Sequence, residues 1–328
     1  MNGVLSTAGR ANRGQTLRWP AAAAVFIVAV LGLAAIANIR TDIPLETLKQ
    51  RYAQPPSKFL QLDGLSVHYR DEGSGLPLVL LHGTGASLHT WEGWSAVLRR
   101  RLRVIRVDLP GFGLTGPDPS GDYSSARYVR FLDDVADKLG LQSFDLAGNS
   151  LGGLIAWRYA AAHPERVGRL ILIDAAGYPQ THPSLLVYRL AQIPVLSSLF
   201  AQMNPRPLVS LSLHEVYANP SKVTPELVDL YTDMALRPGN REAFSARAST
   251  READHTGELS RISAPTLIMW GRLDSRLPAS DAERFARDIR RSKVVIYDGV
   301  GHLPMEEAPA RSADDARSFL LEDPLSGR

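Results

Sequence analysis

Six short, near-continuous apolar runs, each closing on glycine, recur between residues 77 and 299 of this 328-residue chain. They are PLVLLHG (77–83), VIRVDLPGFG (104–113), SFDLAG (143–148), RLILIDAAG (169–177), APTLIMWG (264–271) and KVVIYDG (293–299). A strand with one wet face alternates apolar and polar residues, so the continuous run PLVLLHG is expected to be a strand buried on both faces. Segments of helical period separate them, among them HTWEGWSAVLRRRLR, SARYVRFLDDVADKLGL with Gly140 as its stop, and the closing PARSADDARSFLLED. Strands alternating with helices demand a mostly parallel sheet flanked by helices, the α/β class. Upstream, KFLQLDGLSVHYRDEGSG predicts a β-hairpin turning at Asp63-Gly64, which brings the expected strands to eight.

One block breaks the alternation. Residues 178–262 hold no strand-like run and instead carry the helical stretches SLLVYRLAQI and PELVDLYTDMALR. Lying between two sheet strands, the block reads as a helical cap inserted over the C-terminal edge of the sheet, where open α/β sheets place their ligand crevice. The predicted organisation is a tail and anchor at 1–40, a connector at 41–57, a core in two parts at 58–177 and 263–328, and the cap at 178–262.

Charge and cysteine content exclude several function classes. Four arginines and no acid fall in residues 1–40, which leaves 33 of the 37 basic residues against all 34 acidic ones. A body so nearly neutral gives no electrostatic footprint for nucleic acid. The RRRLR run at 99–103 therefore reads as a solvated helix end. The chain has no cysteine, so disulfides, thiolate nucleophiles and Cys-ligated zinc are excluded. No metal-ligand cluster or phosphate loop is visible, GFGLTG (111–116) fails the dinucleotide spacing, and no cofactor is expected.

Residues 19–39, WPAAAAVFIVAVLGLAAIANI, are uncharged. As a helix they span roughly 31 Å, enough to cross a hydrocarbon core of about 30 Å. Arg10, Arg13 and Arg18 precede the run, so the positive-inside rule keeps the N-terminus cytoplasmic and sends the body across. The expectation is a transmembrane anchor. A signal peptide cleaved after the small residues Ala35–Ala37, and a buried core helix, are the competing readings.

Within FDLAGNSLGG, Ser150 stands among Gly148, Gly152 and Gly153 between a strand and a helix. This is G-x-S-x-G in strand–turn–helix context, the arrangement that projects a nucleophilic hydroxyl above a sheet. An ordinary helix N-cap is the alternative use of such a serine. A serine hydroxyl needs a general base that is itself oriented by an acid. Asp274 follows the seventh expected strand in WGRLDSRLP, and His302 follows the eighth in GVGHLPMEEAP. Both loops leave the same sheet edge as Ser150, which predicts the catalytic set Ser150, Asp274 and His302. The backbone N–H groups of Thr84 and Leu151 are the expected oxyanion hole. Candidate pocket residues are His82, Gly83, Asn149, Trp91, Tyr231 and Leu303. His82 also reads as a loop-holding histidine, Trp91 as core, and Asp174 as an alternative acid.

HGTG, DLPGFG, GNSLGG, GRLD and GHLPMEEAP together resemble the α/β-hydrolase superfamily over about residues 58–322. Serine at position 150 distinguishes the chain from haloalkane dehalogenases and epoxide hydrolases, which carry aspartate there. GNSLGG also resembles the meta-cleavage-product C–C hydrolases. Those usually have tryptophan after the catalytic histidine and an arginine in the cap, where this chain has Leu303 and, near the arginine's place, Tyr231. The connector IPLETLKQRY is similar to that of N-terminally anchored bacterial hydrolases. That similarity implies a single-pass inner-membrane protein with a periplasmic catalytic domain, or a secreted one if the segment is cleaved.

The resulting expectation is a carboxylesterase-like serine hydrolase cleaving esters, lactones or thioesters of small to medium apolar acyl groups. C–C bond hydrolysis and a catalytically silent binding protein of the same fold are its rivals. Small ester-type molecules are the expected partners, and oligomeric state leaves no mark in the sequence.

Overall fold

The computed structural model describes residues 39–179 and 202–322. They divide into two units. In the small one (residues 39–40 and 202–204 of those described), Ile39 forms an antiparallel bridge with Met203, and the Arg40 N–H donates to the Gln202 carbonyl at 3.0 Å. Of the predicted anchor only Ile39 is among the described residues, and SLLVYRLAQI lies outside them. No helix among the described residues is long and apolar enough to cross a membrane.

The larger unit carries, in chain order, α1 (Leu45–Tyr52), β1 (Ser57–Leu62), β2 (Leu65–Glu72), β3 (Pro77–Leu81), α2 (Glu92–Leu98), β4 (Arg103–Val107) and α3 (Ser125–Lys138). Then come β5 (Phe144–Asn149), α4 (Leu151–Ala162), β6 (Val167–Ile173), α5 (Arg206–Val216), α6 (Pro225–Ala235) and α7 (Asn240–Ser249). The chain closes with β7 (Thr266–Gly271), α8 (Ser280–Asp288), β8 (Ser292–Tyr297), α9 (Pro304–Glu307) and α10 (Pro309–Leu321). The sheet order is β1-β2-β4-β3-β5-β6-β7-β8. The β1–β2 and β2–β4 pairings are antiparallel, and every pairing from β4 to β8 is parallel.

Local chemistry explains these elements. The hairpin turns at Asp63 and Gly64, both at positive φ (46° and 82°), the backbone that a two-residue turn between right-twisted strands requires. Ser124 caps α3, its hydroxyl accepting from the Arg127 N–H. Successive strand residues then face opposite layers. In β3, Val79 and Leu81 join a core with Phe131, Trp157 and Phe285, while Leu78 and Leu80 join one with Trp94, Met269 and Phe319. Each buried leucine contributes about 1.5–3 kcal/mol.

Trp91 belongs to the second of these cores. It is fully buried, with its ring centroid 5.2 Å from that of Trp94, and it does not line the cavity at Ser150. The expected pocket role is thereby corrected: the 3₁₀ turn Leu88–Trp91 points this side chain into the sheet–helix interface.

Candidate active site

Ser150 sits between β5 and α4 with φ 53° and ψ −113°. It occupies the N-cap position of α4, yet its side chain makes no cap hydrogen bond, which removes the ordinary-cap reading. The surrounding glycines are required by contact. A Cβ on Gly148 would lie 2.1 Å from the Gly152 carbonyl oxygen, and one on Gly152 would lie 2.2 Å from the Leu81 carbonyl oxygen. One on Gly153 would stand 2.5 Å from the Ala175 Cβ. Only glycine lets the turn pack this closely under β3 and β6. The Ser150 N–H donates to the Ile173 carbonyl (3.1 Å) and its carbonyl accepts from Ala176 (3.0 Å), so the strained residue is tied into β6.

His302 and Asp274 meet at this edge. His302 Nδ1 donates to Asp274 Oδ2 at 2.7 Å, and Asp274 Oδ1 accepts from the Arg276 and Leu277 N–H groups at 2.7 and 3.1 Å. Burial pushes the Asp274 carboxyl up, but the His302 charge and these donors outweigh it and hold it below the usual carboxylate range. An ionised Asp274 accepting from Nδ1–H leaves Nε2 as the basic nitrogen.

Ser150 and His302 line one cavity of about 420 Å³, together with Gly83, Thr84, Leu151, Asn149, Tyr231 and Leu303. Thr84 and Leu151 therefore border the same space as Ser150, and a Cβ on Gly83 would approach the Ser150 Cβ to 3.1 Å. Helices α5 to α7 supply the opposite wall through Leu208, Leu213, Val216, Met234 and Phe244. Arg241, Arg247 and Arg276 also line the cavity, and among the described residues no carboxylate does. Arg241 pairs with Asp42 at 2.7 Å and Arg247 with Glu252 at 3.5 Å.

His82, expected at the pocket, is fully buried and absent from the cavity wall. Its Nδ1–H donates to the Gly83 carbonyl (2.8 Å) and its Nε2 accepts from the Leu109 N–H (3.0 Å), a tautomer that suits the neutral ring favoured by its burial. It braces the loop that carries Thr84. Asn149 also works from behind: its Nδ2 donates to the His302 and Ile173 carbonyls (3.1 and 3.2 Å).

A family model for the alpha/beta hydrolase fold matches residues 77–309. The chain belongs to the α/β-hydrolase fold family. This α/β-hydrolase is 30% identical to the 2-hydroxymuconate semialdehyde hydrolase of Pseudomonas sp. (strain CF600) over 272 residues, covering 79% of this chain and 92% of that enzyme. Among solved structures it is similar to a bacterial membrane phospholipase A, with 29% identity, a TM-score of 0.69, and 92% and 95% of the two chains covered. It is also similar to the meta-cleavage product hydrolase of Pseudomonas fluorescens IP01, with 26% identity, a TM-score of 0.71, and 80% and 97% covered.

Several residues at this hydrolase site escaped sequence reasoning. Glu307 Oε1 accepts from the Gly301 N–H (2.7 Å), and its Oε2 from Ala218 and Asn219 (2.9 and 3.2 Å). It thereby clasps the end of α5 to the histidine loop, where the His302 N–H donates to the Val216 carbonyl at 2.8 Å. Glu306 accepts from the Thr90, Tyr217 and Tyr231 hydroxyls. The signal was present in the paired glutamates of PMEEAP, but a carboxylate's partners cannot be read from its neighbours in sequence.

Proposed function

We propose that this hydrolase cleaves its substrate through an acyl-enzyme on Ser150. Ser150 Oγ attacks a carbonyl carbon while His302 Nε2 takes its proton. Ionised Asp274 holds the tautomer and stabilises the imidazolium that forms. The N–H groups of Thr84 and Leu151 receive the oxyanion. Collapse expels the leaving group, which takes the proton from His302, and water activated by the same imidazole releases the acid. The observation that carries this reading is the convergence of Ser150 and the Asp274-bound His302 on one cavity walled by α5 to α7, which would serve as the cap.

For the bond broken, similarity to 2-hydroxymuconate semialdehyde and meta-cleavage product hydrolases supports C–C hydrolysis ahead of the ester hydrolysis expected from sequence. Ester hydrolysis is the second reading. It is favoured by Leu303 and Tyr231 at the two positions that depart from the C–C hydrolase pattern, and by similarity to a membrane phospholipase A. Under that reading residues 19–39 anchor a periplasmic body to the membrane. Extraction of the full chain from membranes by detergent but not by carbonate, with the body open to protease from the periplasmic side, is the expected result. Purified enzyme offered a dienol-ketone acid and a graded set of p-nitrophenyl esters should prefer the former by at least about 100-fold in kcat/KM, a transition-state difference of about 2.7 kcal/mol. The reverse preference establishes the esterase. Failure of a fluorophosphonate probe to label Ser150 overturns both.

A further inference from the structure

Asp174 follows β6 directly, is fully buried, and holds a left-handed backbone (φ 42°). That conformation is costly for a non-glycine residue and persists only where surrounding structure demands it. Its N–H donates to the Met269 carbonyl (3.0 Å) and its Oδ1 accepts from the Gly271 N–H (2.9 Å). Among the described residues no N–H or O–H reaches Oδ2. What does lie against this carboxyl is the site's own acid. One oxygen each of Asp174 and Asp274 and a ring nitrogen of His302 all lie within 4.8 Å of one another.

Two carboxylates so close and so buried cannot both be ionised, since their repulsion is weakly screened away from water. The donors decide which keeps its charge. Asp274 accepts from His302 Nδ1 and two backbone N–H groups, whereas Asp174 accepts from one. Burial and then the Asp274 charge push Asp174 well above the usual carboxylate range, and the Glu307 charge acts in the same direction. Any Asp174 charge also acts on Tyr297, whose hydroxyl donates to Asp315 at 2.8 Å.

We propose that Asp174 is a positioning residue of this site, a neutral carboxylic acid whose O–H donates to Asp274 and holds that carboxylate against His302. The proton stays on Asp174 throughout turnover. It restrains the Asp274 carboxylate and withdraws part of its charge, which sets how strongly the imidazole holds a proton. The inference rests on Ser150, His302 and Asp274 acting as proposed above, but not on which bond is cleaved.

The test is the pH dependence of the rate at which a fluorophosphonate labels Ser150, a readout independent of substrate. Asp174→Asn keeps a neutral donor, so its rate should stay within about threefold of wild type and the midpoint of the acid limb within about 0.3 pH unit. Asp174→Ala removes the donor. Its rate should fall about tenfold, and the midpoint should rise by about 0.5 unit or more, because the bare Asp274 charge stabilises the imidazolium more strongly. A downward shift of about 0.5 unit or more in Asp174→Asn means that an ionised carboxylate was removed and overturns the proposal. An Asp174→Ala protein matching wild type in rate and midpoint overturns it too. Should that variant not fold, the Asn midpoint alone separates a neutral from an ionised Asp174. Wild-type protein that takes no label overturns the Ser150 reading instead.

Discussion

Ser150 is presented by one continuous strand–turn–helix, whereas His302 is held by residues drawn from four separate parts of the chain. On the serine side, glycines remove the obstacles and the backbone itself sets the geometry. On the histidine side, Asp274 holds the ring, Val216 and Asn149 hold the residue's N–H and carbonyl, and Glu307 holds Gly301 beside it. The contrast teaches where activity is vulnerable. The proposed nucleophile should fail through sterics in its own turn, and the proposed base through loss of the contacts that tie α5 to its loop.

The largest effect should come from the serine side. Ser150→Ala should lower kcat by about 10⁴-fold or more with the fold intact, measured on whichever substrate the assay panel identifies. Asp274→Asn should approach that loss, about 10³–10⁴-fold, because the amide favours the wrong imidazole tautomer. Glu307→Ala distinguishes the two sides more sharply. It strands three backbone N–H groups, so we expect about 2–3 kcal/mol of lost stability in denaturant melts and about a tenfold fall in kcat. An unchanged kcat in that variant would break the comparison, since the histidine loop would then not depend on α5.

A control lies at the opposite end of β5. Asp145 is buried and pushed up to about 6 by that burial, while its Oδ1 accepts from the Arg169 N–H at 2.8 Å. A carboxyl raised in the folded state contributes stability that is fully present below its unfolded value of about 3.9 and lost as pH rises through 6. Asp145→Asn should thus gain about 1–2 kcal/mol at pH 8, lose that advantage by about pH 4, and leave turnover unchanged. The smallest effect on activity, under about threefold, is expected from Trp91→Phe, which alters the core and not the cavity.

Much of the site was legible because its signals are local. The Asp63-Gly64 turn, the glycines about Ser150 and the strand-closing loops of Asp274 and His302 each state a backbone demand in a few adjacent residues. Trp91 is ambiguous in sequence because an aromatic at that spacing serves a core and a pocket equally, and only its packing on Trp94 separates the two. In sequence Asp174 reads as an alternative acid; in the fold one of its oxygens lies within 4.8 Å of one of Asp274, and it is Asp274 that meets His302 Nδ1.

From its residues alone this chain declared an eight-stranded α/β sheet and the chain order Ser150, Asp274, His302, because hydrophobic period and glycine punctuation act between neighbours. Tertiary structure decided the rest: that the Glu307 carboxylate joins α5 to the histidine loop, that His82 braces the loop bearing Thr84, and that Arg241, Arg247 and Arg276 line the same cavity as Ser150. Those outcomes depend on which distant segments come within hydrogen-bonding reach, and a side chain's long-range partners exist only once the sheet has brought them together.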